Sequence, residues 1–238
     1  MTTSFVLRIF FWYNGNQGVI SMKNTPSMKD VFPLSFGEEI GNSISHGALG
    51  ILYLFLTPFI SIYSYNKGGY LRGIGVGIYM ICIFLMLIVS CLYHSMEHQT
   101  SHKYVFRKLD HIMILLAIAG SYTPIALCLF NGFSRILVLA IEWIAVLGGI
   151  LLKSISNKSY PLISAIIYLS MGWAAVLFLP KLIVNGTPLF LGLIVSGGLL
   201  YTIGMIFYSQ KKKFFHFVWH IFIDLACVLH FIAIVFFM

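Results

Sequence analysis

The sequence predicts an all-α membrane protein, a bundle of seven transmembrane helices, and composition is the first reason. Hydrophobic residues make up 59% of the 238 residues, charged residues only 9%, and the mean hydropathy is +0.93. These values lie far from those of an ordinary soluble domain. A helix that crosses the hydrocarbon core needs roughly 20 predominantly apolar residues. Seven such segments, separated by short polar or Gly- and Pro-containing breaks, lie at about 43–65, 71–95, 109–130, 134–153, 160–180, 188–208 and 214–237.

The seven segments form one predicted membrane domain, residues 38–238, which is preceded by an N-terminal extension, residues 1–37. The stretch "SFVLRIFFWY" in the extension is apolar, but it is shorter than a span and Arg8 interrupts it. No small-residue cleavage site follows, so we expect no secretory signal. The extension is either an interfacial or disordered segment or a start-site artefact, since Met22 or Met28 would begin a chain that keeps all seven spans.

The distribution of basic residues predicts the orientation, because Lys and Arg in short loops are retained on the cytoplasmic side. Eleven of the 15 lie before the first span or in the loops after the second, fourth and sixth spans. We therefore predict a cytoplasmic N-terminus and a C-terminus outside the cell membrane. Retention of basic residues on the inner face, together with attraction to anionic lipid headgroups, accounts for the net charge of +8. No nucleic-acid partner is expected because the basic residues form no long patch. The four basic residues on the predicted outer side are Lys67, Arg72, Arg135 and Lys181.

The cysteines predict neither a disulfide framework nor a thiolate metal site. All four fall within predicted spans and show no paired C-x-x-C spacing. Any metal must therefore be held by other ligands. The four are Cys82, Cys91, Cys128 and Cys227.

Polar residues from three distant stretches are predicted to meet at one depth of the membrane. In "HFVWH", His216 and His220 stand at i and i+4, so they project from one face of the seventh helix. Ser90 and His94 have the same spacing at the end of the second span, and Asp110 opens the third. With the N-terminus inside, all these positions lie near the inner face. A single histidine there would be an ordinary interfacial residue, but charged and polar groups at membrane depth are costly and rarely coincide.

This set of side chains predicts a catalytic zinc site. Three neutral imidazoles, from His94, His216 and His220, leave one position of a tetrahedral zinc ion open. Zinc lowers the pKa of a bound water to near 7, and Asp110 would be the proton acceptor or anchor of that water. Ser90 could donate a hydrogen bond to the site or to an oxyanion that forms there.

The stretch "EEIGNSISHGALG" opens the first span at the same predicted depth. Its Glu39, Asn42 and His46 could face the bundle and support the metal ligands, or they could serve helix entry and packing.

Several other polar residues are placed outside the predicted site. His98 and His102 are expected to face solvent, His111 to flank the site, and His230 to lie roughly 15 Å beyond His220 by helix rise. Glu142 and Asp224 stay unassigned between a proton relay and a paired structural charge, with a spare ligand as a further possibility for Asp224.

These residues resemble the signature of the hemolysin III branch of the progestin and adipoQ receptor (PAQR) family. The signature combines an E-x-x-N-x-x-x-H entry, S-x-x-x-H at the end of the second span, an Asp at the start of the third and H-x-x-x-H at the start of the seventh. The stretches "GSYTP", "MGW" and "GGLLYTIG" are also similar, so the resemblance runs from about Phe36 to the C-terminus. The matching residues are Glu39, Asn42, His46, Ser90, His94, Asp110, His216 and His220.

The resemblance implies a seven-helix fold with a cytoplasmic N-terminus and an intramembrane zinc ion near the inner face. By analogy with the adiponectin receptors, His94, His216 and His220 would bind the ion and Asp110 would hold its water. The related alkaline ceramidases hydrolyse a lipid amide with a similar set of one serine, one aspartate and three histidines. Asp224 departs from the family pattern, in which an uncharged residue is expected, and leaves the coordination open.

Two classes of function follow from these predictions. In the first, the protein is a zinc-dependent hydrolase of amide or ester bonds in membrane lipids. In the second, zinc is structural, with Asp224 or His111 as fourth ligand, and the protein is a receptor-like sensor or a cytolysin. A retinal protein is excluded because residues 214–238 contain no lysine, and a typical zinc protease because His216 and His220 enclose no glutamate.

Overall fold

The structure is a computed structural model that describes residues 34–155 and 160–238, and every regular element in these ranges is helical. The predictions about the N-terminal extension fall almost entirely outside the described residues. The first helix begins at Phe36, two residues before the predicted domain boundary. The helices are α1 (Phe36–Ser95), α2 (Ser101–Leu129), α3 (Gly132–Ile155), α4 (Pro161–Gly172), α5 (Leu179–Asn185), α6 (Pro188–Tyr208) and α7 (Phe215–Ile232). A 3₁₀ segment (Ala174–Phe178) joins α4 to α5, and a π segment (Ala233–Phe237) extends α7.

Within the described ranges, six helical segments are long and apolar enough to cross a membrane. Many of their large hydrophobic side chains are exposed, among them Phe55 and Phe59 of α1, which are 67% and 70% exposed. Such surfaces are unfavourable in water and suit a lipid environment. The structure thus agrees with the prediction of an all-α, multi-pass membrane protein.

The longest helix, α1, contains the first two predicted spans. Its 60 residues are interrupted at Gly68 and Gly69, where the backbone leaves helical geometry and Gly69 adopts a φ of +74°. We call residues 36–67 the first arm and residues 70–95 the second arm. Because glycine lacks a Cβ, it reaches this left-handed region at little steric cost.

The two arms of α1 pack against each other in an antiparallel hairpin. The hydroxyl oxygens of Ser43 and Ser95 are 2.7 Å apart, and those of Tyr53 and Tyr79 are 3.3 Å apart. The serines lie 25 and 27 residues from Gly68 along the chain and the tyrosines 15 and 11, so the pair farther from the turn on one arm is also farther on the other. This hairpin places the end of the second arm beside the first turns of the first arm.

The predicted span 160–180 is interrupted instead of continuous. α4 ends at Gly172, Trp173 leaves helical geometry, and the 3₁₀ segment continues the path to α5. Tyr122 of α2 bridges the interruption: its hydroxyl donates to the carbonyl oxygen of Gly172 at 2.8 Å and accepts from the N–H of Ala175 at 2.7 Å. These bonds satisfy backbone groups that the break would leave unpaired in an apolar environment.

Helix α2 begins at Ser101, eight residues before the predicted span. The hydroxyl of Thr100 caps it by accepting from the N–H of Lys103 at 3.2 Å. Hydropathy underestimates this polar first part because a cap and buried polar contacts stabilise it, not an apolar face. Asp110 consequently lies more than two turns inside α2.

The start of α7 is tied to the start of α1. Phe214 precedes α7 with a φ of +62°, in the left-handed region that is uncommon for a bulky residue. Its N–H donates a hydrogen bond to the Glu38 carboxylate in the first turn of α1. This bond helps to hold the first turn of α7, which carries His216, against the first arm.

Candidate metal centre

Three histidine rings meet where the second arm of α1 ends and α7 begins. His94 and His220 are buried, at 3% and 0% exposure, and His216 is partly buried. One ring nitrogen from each of the three lies within 4.8 Å of the others, and the Nε2 atoms of His94 and His216 are 3.4 Å apart. No other set of three such residues comes together within residues 34–155 and 160–238.

The unpaired atoms of this cluster fit a bound metal ion. Both ring nitrogens of His220 are buried and have no hydrogen-bond partner in the described part of the chain. A buried polar atom without a partner is costly, and a metal ion is one group that removes that cost for imidazole. The three residues could therefore hold a metal ion.

Glu39 fixes the orientation of His94. The Nδ1 atom of His94 lies 2.5 Å from Oε2 of Glu39, so this nitrogen carries the proton and donates to the carboxylate. The lone pair of His94 is then on Nε2, the atom that faces His216. Metal-binding histidines commonly donate their other N–H to a carboxylate in this way.

Asn42 and His46 lie on the same face of the first arm as Glu39 and contact two of the clustered rings. The amide nitrogen of Asn42 is 3.4 Å from His94 Nδ1. The ring of His46 is 1% exposed, and its centroid lies 3.9 Å from that of His220. The three residues predicted to support the metal ligands thus all reach the cluster, and their functional role stays a prediction.

Asp110 and Ser90 lie beside the histidine cluster. Ser90 is 1% exposed and Asp110 is 6% exposed, and the Asp110 carboxylate lies near both Ser90 and His94. The Ser90 hydroxyl, one turn before His94 on α1, has no hydrogen-bond partner among the described residues. Asp110 reaches this position because α2 packs antiparallel to the second arm, as the neighbouring pairs Gly75–Pro124 and Cys82–Gly120 show. The structure therefore brings both predicted catalytic residues to the three histidines. Their roles in a reaction remain predictions.

Neither proposed fourth ligand joins the cluster. His111 places its Nδ1 atom 2.7 Å from the carbonyl oxygen of Arg107, to which it donates, and its Nε2 atom 3.4 Å from the hydroxyl of Tyr208. Asp224 approaches His46 instead, with its Oδ1 atom 3.5 Å from Nε2 of that ring. The Asp224 side chain therefore contacts His46, and His46 in turn packs against the candidate ligand His220.

The remaining polar residues lie where the sequence places them. His98 and His102 are exposed. His230 forms a 3.1 Å contact between its Nε2 and the carbonyl oxygen of Ile194, away from the cluster. Glu142 is 1% exposed in α3, and neither carboxylate oxygen has a hydrogen-bond partner within the described ranges.

Sequence reasoning missed Lys103, which is 3% exposed. Its ammonium group donates to Oε1 of Glu39 at 2.5 Å and to the carbonyl oxygen of Met96 at 3.0 Å. It also lies 5.1 Å from the centroid of the Tyr93 ring. The sequence showed Lys103 only as one of several basic residues in a loop, and no spacing distinguished it from Lys108.

The fold and the cluster together define a class of protein: a multi-pass helical membrane protein with a buried three-histidine cluster beside a carboxylate. The sequence model of the family described as "Haemolysin-III related" matches residues 34–231. This chain belongs to that family, and the placement in the hemolysin III branch predicted from its motifs is confirmed.

Curated relatives agree with this assignment. The chain is 33% identical to "Hemolysin-3" of Bacillus cereus over 201 residues, which cover 84% of this chain and 91% of that protein. It is 34% identical to "Hemolysin-3 homolog" of Bacillus subtilis (strain 168) over 187 residues, 78% of this chain and 87% of the relative. It is 28% identical to the human "Monocyte to macrophage differentiation factor" over 165 residues, 66% of this chain and 67% of the relative. No solved structure matches the chain.

Proposed function

We propose that this protein is a zinc-dependent hydrolase that cleaves amide or ester bonds of membrane lipids. The observation that supports this function best is the number of candidate ligands: three histidines converge, and no fourth protein ligand joins them among the described residues. Structural zinc sites are normally closed by four protein ligands, whereas catalytic sites keep one position open. A set of imidazole ligands also favours zinc over harder cations, which prefer oxygen.

The proposal includes a membrane topology of seven spans with the N-terminus in the cytoplasm. Each arm of α1 exceeds the roughly 20 residues needed for a crossing, and the arms fold back on each other at Gly68 and Gly69. The six long helical segments include α1 as a single segment. Because its two arms are two crossings, the proposed total is seven. The excess of basic residues on one side supports a position of the cluster near the inner face.

The residues around the cluster have separate roles in this proposal. When bound, zinc supplies an activated water at neutral pH. The Asp110 carboxylate accepts the proton of the attacking water and returns it to the amine or alcohol that departs when the C–N or C–O bond breaks. The Ser90 hydroxyl donates a hydrogen bond to the carbonyl oxygen of the substrate as negative charge develops there. The acyl chain of the lipid lies between the helices, whose outer surfaces carry exposed apolar side chains such as Phe55.

A second candidate is a non-enzymatic sensor or cytolysin in which the metal clasps helices together. The histidines join the second arm of α1 to α7, the ring of His46 packs against that of His220, and Asp224 approaches His46. A small rearrangement of these two residues could close the site with a fourth ligand. Relatives named "Hemolysin-3" favour membrane lysis as the outcome for this candidate.

Release of fatty acid by purified protein distinguishes the two candidates. The zinc-loaded protein in detergent is incubated with a ceramide and with an ester lipid, and zinc is measured by elemental analysis. We expect one zinc per chain and release of fatty acid, both lost in His94→Ala and both retained in His98→Ala, whose ring is exposed at the same helix end. Stoichiometric zinc without turnover of either lipid would reject the hydrolase, and leakage of dye from vesicles would then favour the cytolysin.

A further inference from the structure

We infer that Lys103 is a positioning residue for the metal centre and that it acts on His94 through Glu39. The inference rests on the proposed function, because it concerns the orientation of a proposed zinc ligand. It assigns a role to a lysine that composition and charge pattern place among ordinary loop residues.

The surroundings of Lys103 are those of a structural cation and not of a solvated lysine. Lysine is almost never fully buried unless it is paired. Here the side chain is 3% exposed, and its ammonium group contacts the Glu39 carboxylate, the Met96 carbonyl oxygen and the face of the Tyr93 ring. Three partners match the three N–H donors of an ammonium group.

The two oxygens of Glu39 have different partners, which makes the carboxylate a connector. Oε1 accepts from Lys103 and Oε2 accepts from His94 Nδ1, both at 2.5 Å. Hydrogen bonds in which the donor or the acceptor is charged are among the stronger polar contacts in proteins. Lys103 therefore determines where Oε1 lies, and the planar carboxylate then determines where Oε2 meets His94.

The position of Oε2 matters because it decides which nitrogen of His94 carries the proton. Without the Glu39 acceptor at Nδ1, the tautomer in which Nε2 carries the proton becomes available. A protonated Nε2 cannot bind a metal ion, so the chain from Lys103 to Glu39 keeps His94 in the form that can bind.

Charge alone predicts the opposite effect on metal affinity. A lysine near a divalent cation repels it, so removing the positive charge should strengthen binding if electrostatics dominated. Loss of a positioning contact should weaken binding instead, because removal of outer partners of metal ligands typically costs about 10- to 100-fold in affinity. The sign of the change therefore separates the two roles.

The test measures zinc affinity of the full chain in detergent by competition with a chromophoric chelator. We expect Lys103→Met to weaken zinc binding about tenfold and to alter the visible absorption of the cobalt-substituted protein. Lys103→Arg, which keeps the positive charge and a donor to Glu39, should weaken zinc binding less than Lys103→Met. The matched control is Lys108→Met, the same charge change on the same helix, where the ammonium group contacts the Tyr104 ring and the Ser154 carbonyl oxygen.

A double-mutant cycle tests whether Lys103 acts through Glu39. Glu39→Ala should weaken zinc binding at least as much as Lys103→Met, and the combined variant should be no weaker than Glu39→Ala alone. If Lys103→Met does not fold, Lys103→Gln, which keeps a donor but loses the charge, replaces it with the same expected direction. Unchanged or tighter binding in the Lys103 variant, or full additivity in the cycle, overturns the inference and leaves the hydrolase proposal intact. An unmodified protein that binds no zinc overturns both.

Discussion

Close packing of α2 against the second arm of α1 predicts that Gly120→Ala destabilises the protein. A Cβ atom at position 120 would lie 2.5 Å from Cβ and 2.9 Å from Sγ of Cys82, whereas ordinary contacts begin at about 3.4 Å. The Cβ of Cys82 cannot rotate away, so the two helices must separate by about 1 Å. Overpacking of this kind costs roughly 1–3 kcal/mol, and the better helix propensity of alanine returns at most about 1 kcal/mol. Because this contact cannot relax locally, we expect a net loss of about 1–2 kcal/mol.

Titration with sodium dodecyl sulfate in mixed micelles, followed by circular dichroism, measures the change in the free energy of unfolding. Gly148→Ala is the matched control, because nothing lies within 4 Å of a Cβ at position 148 of α3. We expect this variant to be as stable as the unmodified protein or slightly more stable. Cys82→Gly should recover part of the loss when combined with Gly120→Ala, since it removes both opposing atoms. Equal stability of Gly120→Ala and Gly148→Ala would refute the proposed close contact between the helices.

Two further predictions test the interrupted helix and the orientation. Tyr122→Phe removes both hydrogen bonds that bridge the break after Gly172, so the same titration should show a loss of roughly 1–3 kcal/mol. Tyr70→Phe, at a ring that is 65% exposed, should change little, and equal losses in the two variants would contradict the bridging role. A cysteine that replaces Lys67, at the break in α1, should react with a membrane-impermeant maleimide in intact cells, whereas one that replaces Lys211 should react only after lysis. The reverse pattern would invert the proposed topology.

Hydropathy was sufficient to predict the class of fold, but the backbone geometry at the breaks was not encoded in the same signal. Gly68 and Gly69 lie between two predicted spans, so a turn was expected there, and the structure forms it with two non-helical residues inside a helix of 60 residues. The interruption at Trp173 was not predicted, because "MGWAAV" contains no proline and its composition is as apolar as its surroundings. Tyr122, whose hydroxyl bridges the interruption, lies 50 residues away from Gly172 in the chain.

The histidine cluster could be predicted because helix periodicity and membrane depth restrict where side chains can meet. The i, i+4 spacing of His216 and His220 places both on one face, and the end of the second span brings His94 to the same depth. The partners of individual ring atoms could not be predicted by this reasoning. The approach of Asp224 to His46 and the burial of Lys103 depend on rotamers and on the turn before Thr100, which short-range patterns do not specify.

The adjacent residues Glu38 and Glu39 explain how one helical turn can organise the whole centre. Consecutive residues on an α-helix point about 100° apart, so the two carboxylates face different neighbours. Glu38 accepts from the N–H of Phe214 and holds the start of α7, while Glu39 contacts His94 at the end of the second arm and Lys103 near the start of α2. The first turn of α1 therefore contacts the three helix ends that carry the candidate ligands and their supports. A change in this turn should consequently alter metal binding more than stability, because the long apolar helix surfaces would still pack.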